Sequence, residues 1–208
     1  VATALAKPLG WILTNYSLAD YSIPLTAGLR IWRAAGGSLT EIGMRTPGFV
    51  CGALLVPLVA VAARRALGGA VAARLAWLVA LSPVLVLYSR IVRSYAPMVL
   101  FATAAAIAAF AWIETRSRRA ALAYVAFAAL ATWFHLGAAP FVAAPLAFAV
   151  ALRAVHAERD AAPSGRAIVL TGAGLALAFG CFLLPARASL LALLGGVRQQ
   201  VRPGLAAW

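Results

Sequence analysis

Six apolar runs, at residues 47–63, 71–89, 94–113, 120–136, 137–152 and 167–186, constrain this chain more than any other feature of its sequence. A hydrocarbon core about 30 Å thick is crossed by roughly 20 apolar residues of helix, and several of these runs sit at the short end of the spanning range. Inside a bilayer every backbone amide must find its partner within the protein, which leaves helices or a closed barrel. The runs are rich in Ala and Leu and lack the ten-residue alternation of barrel strands, so they are read as helices. Composition agrees: 64% of the 208 residues are hydrophobic and 11% are charged, with a mean hydropathy of +0.94. The expected fold is therefore all-α, a polytopic transmembrane bundle of about six spans, in which lipid replaces the polar surface a soluble domain would need.

A net charge of +13 invites a nucleic-acid reading. Nucleic-acid binders display basic residues as a face or stripe, whereas these arginines punctuate the apolar runs, and nucleic acid is excluded as a partner. Arg64, Arg65 and Arg74 follow the first run, Arg116, Arg118 and Arg119 the third, and Arg153, Arg159 and Arg166 the fifth. The opposite connections hold Arg45, Arg90, Arg93 and Arg187, a bias of nine to four that puts the denser clusters in the cytoplasm. The segment 89–95 is then outside, as expected for a multi-pass protein of the cell membrane with a periplasmic or extracellular working face.

Three regions follow. Residues 1–45 form an outer-face loop with interfacial helices, because the apolar stretch 23–32 is too short to cross and Trp11, Tyr16, Tyr21 and Trp32 suit headgroup depth. Residues 46–188 form the bundle, and 189–208 begin a carboxyl-terminal region interrupted by Gly195, Gly196, Arg198 and Arg202. With no Met start and no signal pattern, Val1 is expected to be an internal position of a longer chain. Cys51 and Cys181 lie inside apolar runs and imply neither a disulfide nor a metal framework.

Three polar groups stand on the outer side. Asp20, in Asn15-Tyr16-Ser17-Leu18-Ala19-Asp20-Tyr21, is suited to deprotonating an acceptor hydroxyl or holding a divalent cation, or to capping a helix. The stretch Tyr88-Ser89-Arg90-Ile91-Val92-Arg93-Ser94-Tyr95 joins two spans. Its guanidiniums suit the phosphate of a lipid carrier, with simple headgroup anchoring as the alternative. His135, in Trp133-Phe134-His135-Leu136-Gly137, is placed to hydrogen-bond sugar or phosphate, or to serve structure alone.

In order along the chain, three segments resemble the membrane glycosyltransferases of the C-type superfamily, in particular glycosyltransferase family 39, the protein O-mannosyltransferase and aminoarabinose-transferase-like group. Asp20-Tyr21-Ser22-Ile23-Pro24-Leu25 is similar to that family's Asp-x-His-Pro-Pro-Leu segment, with Arg45 and Pro47 at its later Arg-Leu-Pro position. Leu81-Ser82-Pro83, Tyr88-Ser89-Arg90 and Arg93-Ser94-Tyr95 resemble its Ser-Pro, Tyr-Ser and Arg-x-Tyr block, and Thr132-Trp133-Phe134-His135-Leu136 its Thr-His-Tyr turn. The resemblance implies inverting transfer of a sugar from a polyprenyl-phosphate donor on the outer face of the cell envelope. It also implies Asp20 as a secondary acidic residue, Arg90, Arg93, Tyr88 and Tyr95 near the donor phosphate, and His135 at the substrate. The family's first acidic motif is expected upstream of Val1, and a piece lacking it is expected to be inactive alone. The rival reading is a transporter or lipid flippase, which calls for ionisable groups near the bilayer midplane; these mid-span residues are Ala, Leu, Val, Phe and Gly.

Overall fold

In the computed structural model, which describes residues 5–15, 22–155 and 163–192, every regular element is a helix. Two short helices, α1 (Leu9–Thr14) and α2 (Ile23–Ala34), precede the long α3 (Glu41–Leu67). Next come α4 (Gly69–Ala80), α5 (Pro83–Arg90), α6 (Tyr95–Thr115) and α7 (Arg118–Phe134). A single 3-10 turn at Leu136–Ala138 leads into α8 (Ala139–Val155), and α9 (Gly165–Leu183) closes the order.

Four stretches are long and apolar enough to cross a membrane: α3, α6, Leu136–Val155 and α9. The sequence expectation of an unbroken second span at 71–89 is corrected, because α4 and α5 meet at a 52° bend and count as a fifth crossing only if taken together. The cause is local. Ser82 accepts from the Leu85 amide at 3.5 Å and Pro83 occupies the first helical turn, and proline can begin a helix but not continue one. At 17 residues, α7 coincides with the expected fourth run yet sits at the bottom of the spanning range.

The molecule's surface explains its solvent. Phe49, Trp77, Leu81 and Phe141 are all more than 60% exposed, and helices apolar on every side need hydrocarbon around them. Within the four crossing stretches, 44% of the apolar window of α6 is buried against 17% for each of the others, so α6 is the central helix. It pairs with α7 through small residues, Ala105 and Ala109 facing Ala128 and Ala131 in a core completed by Trp112, Tyr124, Val142, Ala149 and Leu175. Where lipid removes the hydrophobic drive for helix association, such close backbone approach supplies the packing energy.

A polar bond crosses this core: the Tyr124 hydroxyl donates to the Val142 carbonyl, while its ring stacks on Trp112 at 6.3 Å. Tyr124→Phe keeps the ring and loses the bond. It is expected to destabilise the detergent-solubilised protein by about 1 kcal/mol, the usual worth of an interhelical hydrogen bond in a bundle, read as a lowered thermal unfolding midpoint with glycosyl transfer unchanged.

Candidate functional site

The ends of five elements meet on one side of the bundle. Gly48 of α3 lies against the Ser89 and Ile91 carbonyls, at 3.3 and 3.5 Å from the Cβ position it lacks. Farther along α3, Leu54, Pro57, Leu58 and Val61 share an apolar hollow with Leu100, Phe101 and Ala104 of α6. Thus α3 and α6 leave the same end in the same direction, and α7 returns to it. Three ring pairs mark the meeting point: Tyr88 with Tyr95 at 4.6 Å, Tyr95 with His135 at 5.2 Å, and Phe101 with Phe134 at 5.6 Å.

Each ring is placed by its backbone. Tyr88 is on the last turn of α5, Tyr95 opens α6 behind a Ser94 cap residue, and His135 ends α7 in an extended conformation. His135 Nδ1 accepts from the Gly137 amide at 3.0 Å, which fixes the imidazole and leaves Nε2 as the nitrogen available to a substrate. The structure therefore brings together Tyr88, Tyr95 and His135, three of the residues singled out from sequence. Arg93 lies in the turn before Tyr95, half-buried, its amide donating to the Ile91 carbonyl at 2.9 Å.

Arg90 points to a different part of the same end. It lines two open grooves, one of about 210 Å³ with Ile42, Arg45, Thr46, Phe49 and Ser89, the other of about 440 Å³ with Arg45, Pro83, Val86, Leu87 and Ile91. Neither groove contains Tyr88, Tyr95 or His135. Arg45, which the charge bias placed on the same side as Arg90, is thus its groove partner, and it also pairs with Glu41 one turn back on α3.

The segment before α3 covers this end. Leu5, Leu25 and Leu29 form a small apolar cluster with Leu39, Met44, Val92 and Phe134, and Arg30 donates to the Leu5 and Lys7 carbonyls. Ser22 caps α2 by accepting from the Leu25 amide. Asp20, the carboxylate expected to act on the acceptor or a divalent cation, lies outside the described residues, as do Tyr16 and Tyr21. Among the described residues no three His, Cys, Asp or Glu side chains gather at one point. Two buried hydroxyls, those of Thr26 and Thr132, find no hydrogen-bond partner there. Thr132 is one helical turn before His135 on α7.

The arginine clusters Arg64 and Arg65, Arg116 to Arg119, and Arg153 with Arg166 occur at the other ends of these helices. Polar aromatic groups and three of the sparser arginines, Arg45, Arg90 and Arg93, thus share one rim, while the denser cationic clusters take the opposite one. That division is the charge asymmetry of a multi-pass membrane protein.

A family profile described as dolichyl-phosphate-mannose-protein mannosyltransferase matches residues 27–183, well over half of the chain. The match spans α3 to α9 and includes Arg45, the Tyr88 to Tyr95 stretch and His135. No curated protein and no solved structure matches the chain.

Proposed function

The chain belongs to the dolichyl-phosphate-mannose-protein mannosyltransferase family, and from that premise we propose that this membrane glycosyltransferase draws its sugar from a polyprenyl-phosphate-linked donor and transfers it, with inversion, on the non-cytoplasmic face. The observation that carries the reading is the tilted ring cluster of Tyr88, Tyr95 and His135, with Arg93 two residues before Tyr95, assembled from two separate turns at one rim of the bundle. Aromatic rings offer a flat apolar surface to a sugar face, and His135 Nε2 offers a directed hydrogen bond. Arg90 and Arg93 bind the phosphate bidentately and stabilise it as it departs, with the Tyr88 and Tyr95 hydroxyls as further donors to it.

In this reading the finer membership is glycosyltransferase family 39, α7 serves as a sixth span, and α2 lies in the outer interface with Ile31 and Trp32 exposed toward lipid. Asp20 orients the acceptor hydroxyl or holds a divalent cation. The catalytic work is electrostatic and positional: a carboxylate takes the acceptor hydroxyl's proton, the acceptor oxygen bonds the sugar's anomeric carbon from the face opposite the phosphate, and the anomeric bond to the phosphate oxygen breaks with its electron pair leaving on the lipid phosphate.

The test uses the intact protein in proteoliposomes with a radiolabelled polyprenyl-phosphate sugar. Loss of label from the lipid, its appearance on an acceptor, and an approximately tenfold slower rate for Asp20→Asn are expected. Inhibition by EDTA, relieved by magnesium, assigns the cation role to Asp20; no inhibition assigns the acceptor role. A protein that moves the donor between leaflets without cleaving it would be a flippase, and the proposal would fall.

A further inference from the structure

Two cations are shared by both grooves at the rim, with a single acidic neighbour among the described residues. Arg45 of α3 and Arg90 of α5 both border the two hollows between these helices, and Glu41 is the carboxylate that reaches Arg45. That ion pair is exposed, 43% for Arg45 and 72% for Glu41, so solvent screens it and little holds it closed. Glu41 balances one guanidinium of the two. The groove therefore keeps a net positive charge, and an anion entering it relieves the repulsion between like charges.

The groove's walls say what kind of anion. Ile42, Phe49, Val86 and Leu87 flank the guanidiniums, all exposed, Ile42 at 80% and Phe49 at 63%. A free inorganic anion gains nothing from such walls, whereas a phosphate carrying a hydrocarbon chain gains from both the cations and the apolar sides. The Ser89 hydroxyl, in the same groove, is already committed to the Val86 carbonyl at 2.8 Å, so the recognition falls to Arg45 and Arg90. On the last turn of α5, Tyr88 joins the ring cluster while Ser89 and Arg90 join the groove. A donor bound across this turn is met at its phosphate by Arg45 and Arg90 from the groove and by Arg93 from the ring side, with its sugar against the rings.

We infer that Arg45 is a further phosphate-positioning residue: with Arg90 it clamps the phosphate of the polyprenyl carrier in the α3–α5 groove, and Glu41 is the internal counter-ion that the phosphate displaces. The inference rests on the donor proposed above. It makes an opposed pair of predictions. Arg45→Ala removes a charge-assisted clamp and is expected to weaken binding at least about tenfold, with Arg45→Lys keeping part of it. Glu41→Gln removes the competitor and is expected to tighten binding about twofold to threefold.

The measurement is equilibrium binding of radiolabelled undecaprenyl phosphate to the intact protein in phosphatidylcholine nanodiscs, with phosphatidylglycerol and inorganic phosphate as competitors. The expected result is opposite shifts for Arg45→Ala and Glu41→Gln, with neither competitor displacing the carrier at equal concentration. A purely structural pair would make both substitutions weaken binding, and that outcome overturns the inference. Unchanged affinity for Arg45→Ala beside a loss for Arg90→Ala overturns the role of Arg45 and leaves the donor reading standing. Displacement by phosphatidylglycerol identifies a bilayer-lipid groove and also overturns it. If wild-type protein fails to bind the carrier, the donor reading falls and takes the inference with it.

Discussion

Replacing Arg93 with alanine in the intact protein is expected to lower turnover of a polyprenyl-phosphate-linked sugar about a hundredfold, equivalent to roughly 3 kcal/mol of transition-state stabilisation. Arg93 is half-buried in the turn between α5 and α6, two residues before the Tyr95 ring that packs at a tilt against His135. A half-buried guanidinium sits in a lower dielectric than bulk water, so facing a developing phosphate charge it is worth more than on a wet surface. Lysine keeps the charge but not the planar fork, and Arg93→Lys is expected to fall between wild type and alanine. The loss belongs in kcat more than in KM, because the charge on the departing oxygen grows only as the glycosidic bond breaks. Arg119→Ala, at the opposite end of the bundle, is the control and is expected to stay within about twofold. Unchanged turnover for Arg93→Ala at normal expression would remove Arg93 from the site.

The helices were readable because hydrocarbon imposes a length and an apolar composition on whatever crosses it. The expected run 94–113 and the observed Tyr95–Thr115 differ by two residues or fewer at either end, as do 120–136 and Arg118–Phe134. Misreadings occurred where local backbone chemistry overrides hydropathy. Helix α3 begins at Glu41 rather than residue 47 because Thr40 caps it, accepting from the Gly43 amide at 3.3 Å. The run 71–89 reads as continuous because Ser82 is one polar residue among many apolar ones, yet Ser82 and Pro83 together start a new helix.

At the site, residue types were legible and neighbours were not. Tyr88, Tyr95 and His135 announce themselves as polar aromatic groups at run ends, but their ring contacts depend on α6 and α7 forming a hairpin beside α5. Grouping Arg90 with Arg93 follows from their closeness in sequence. In space Arg90 also shares a groove with Arg45, because the last turn of α5 presents successive residues to different neighbours. The missed signal is Gly48-Phe49-Val50-Cys51-Gly52, whose two glycines, one helical turn apart, mark a face of α3 on which another backbone lies.

That face leads to the second large effect, at Gly52. A Cβ built on Gly52 stands 2.7 Å from the Ser89 Cβ, a contact between atoms that no side-chain rotation relieves. Gly52→Ala therefore forces α3 and α5 apart, at a cost of about 1–3 kcal/mol for an overpacked contact, and Gly52→Leu exceeds that. The damage is expected to go beyond stability. Ser89 stands between Tyr88 of the stack and Arg90 of the groove, so displacing it disturbs both halves of the rim at once, and a shift of about 1 Å at reacting groups is expected to cost on the order of a hundredfold in rate. A compensating change separates this mechanism from general misfolding. Ser89→Gly deletes the atom that Gly52→Ala meets and leaves the nearest remaining Ser89 atom, its Cα, at 3.9 Å. The double variant is expected to regain most of the lost thermal midpoint and at least tenfold of the lost rate, less the roughly 1 kcal/mol that a glycine costs inside α5. Additive losses in the double variant would mean that the two helices do not meet at these residues, and the link from α3 to the rim would be broken.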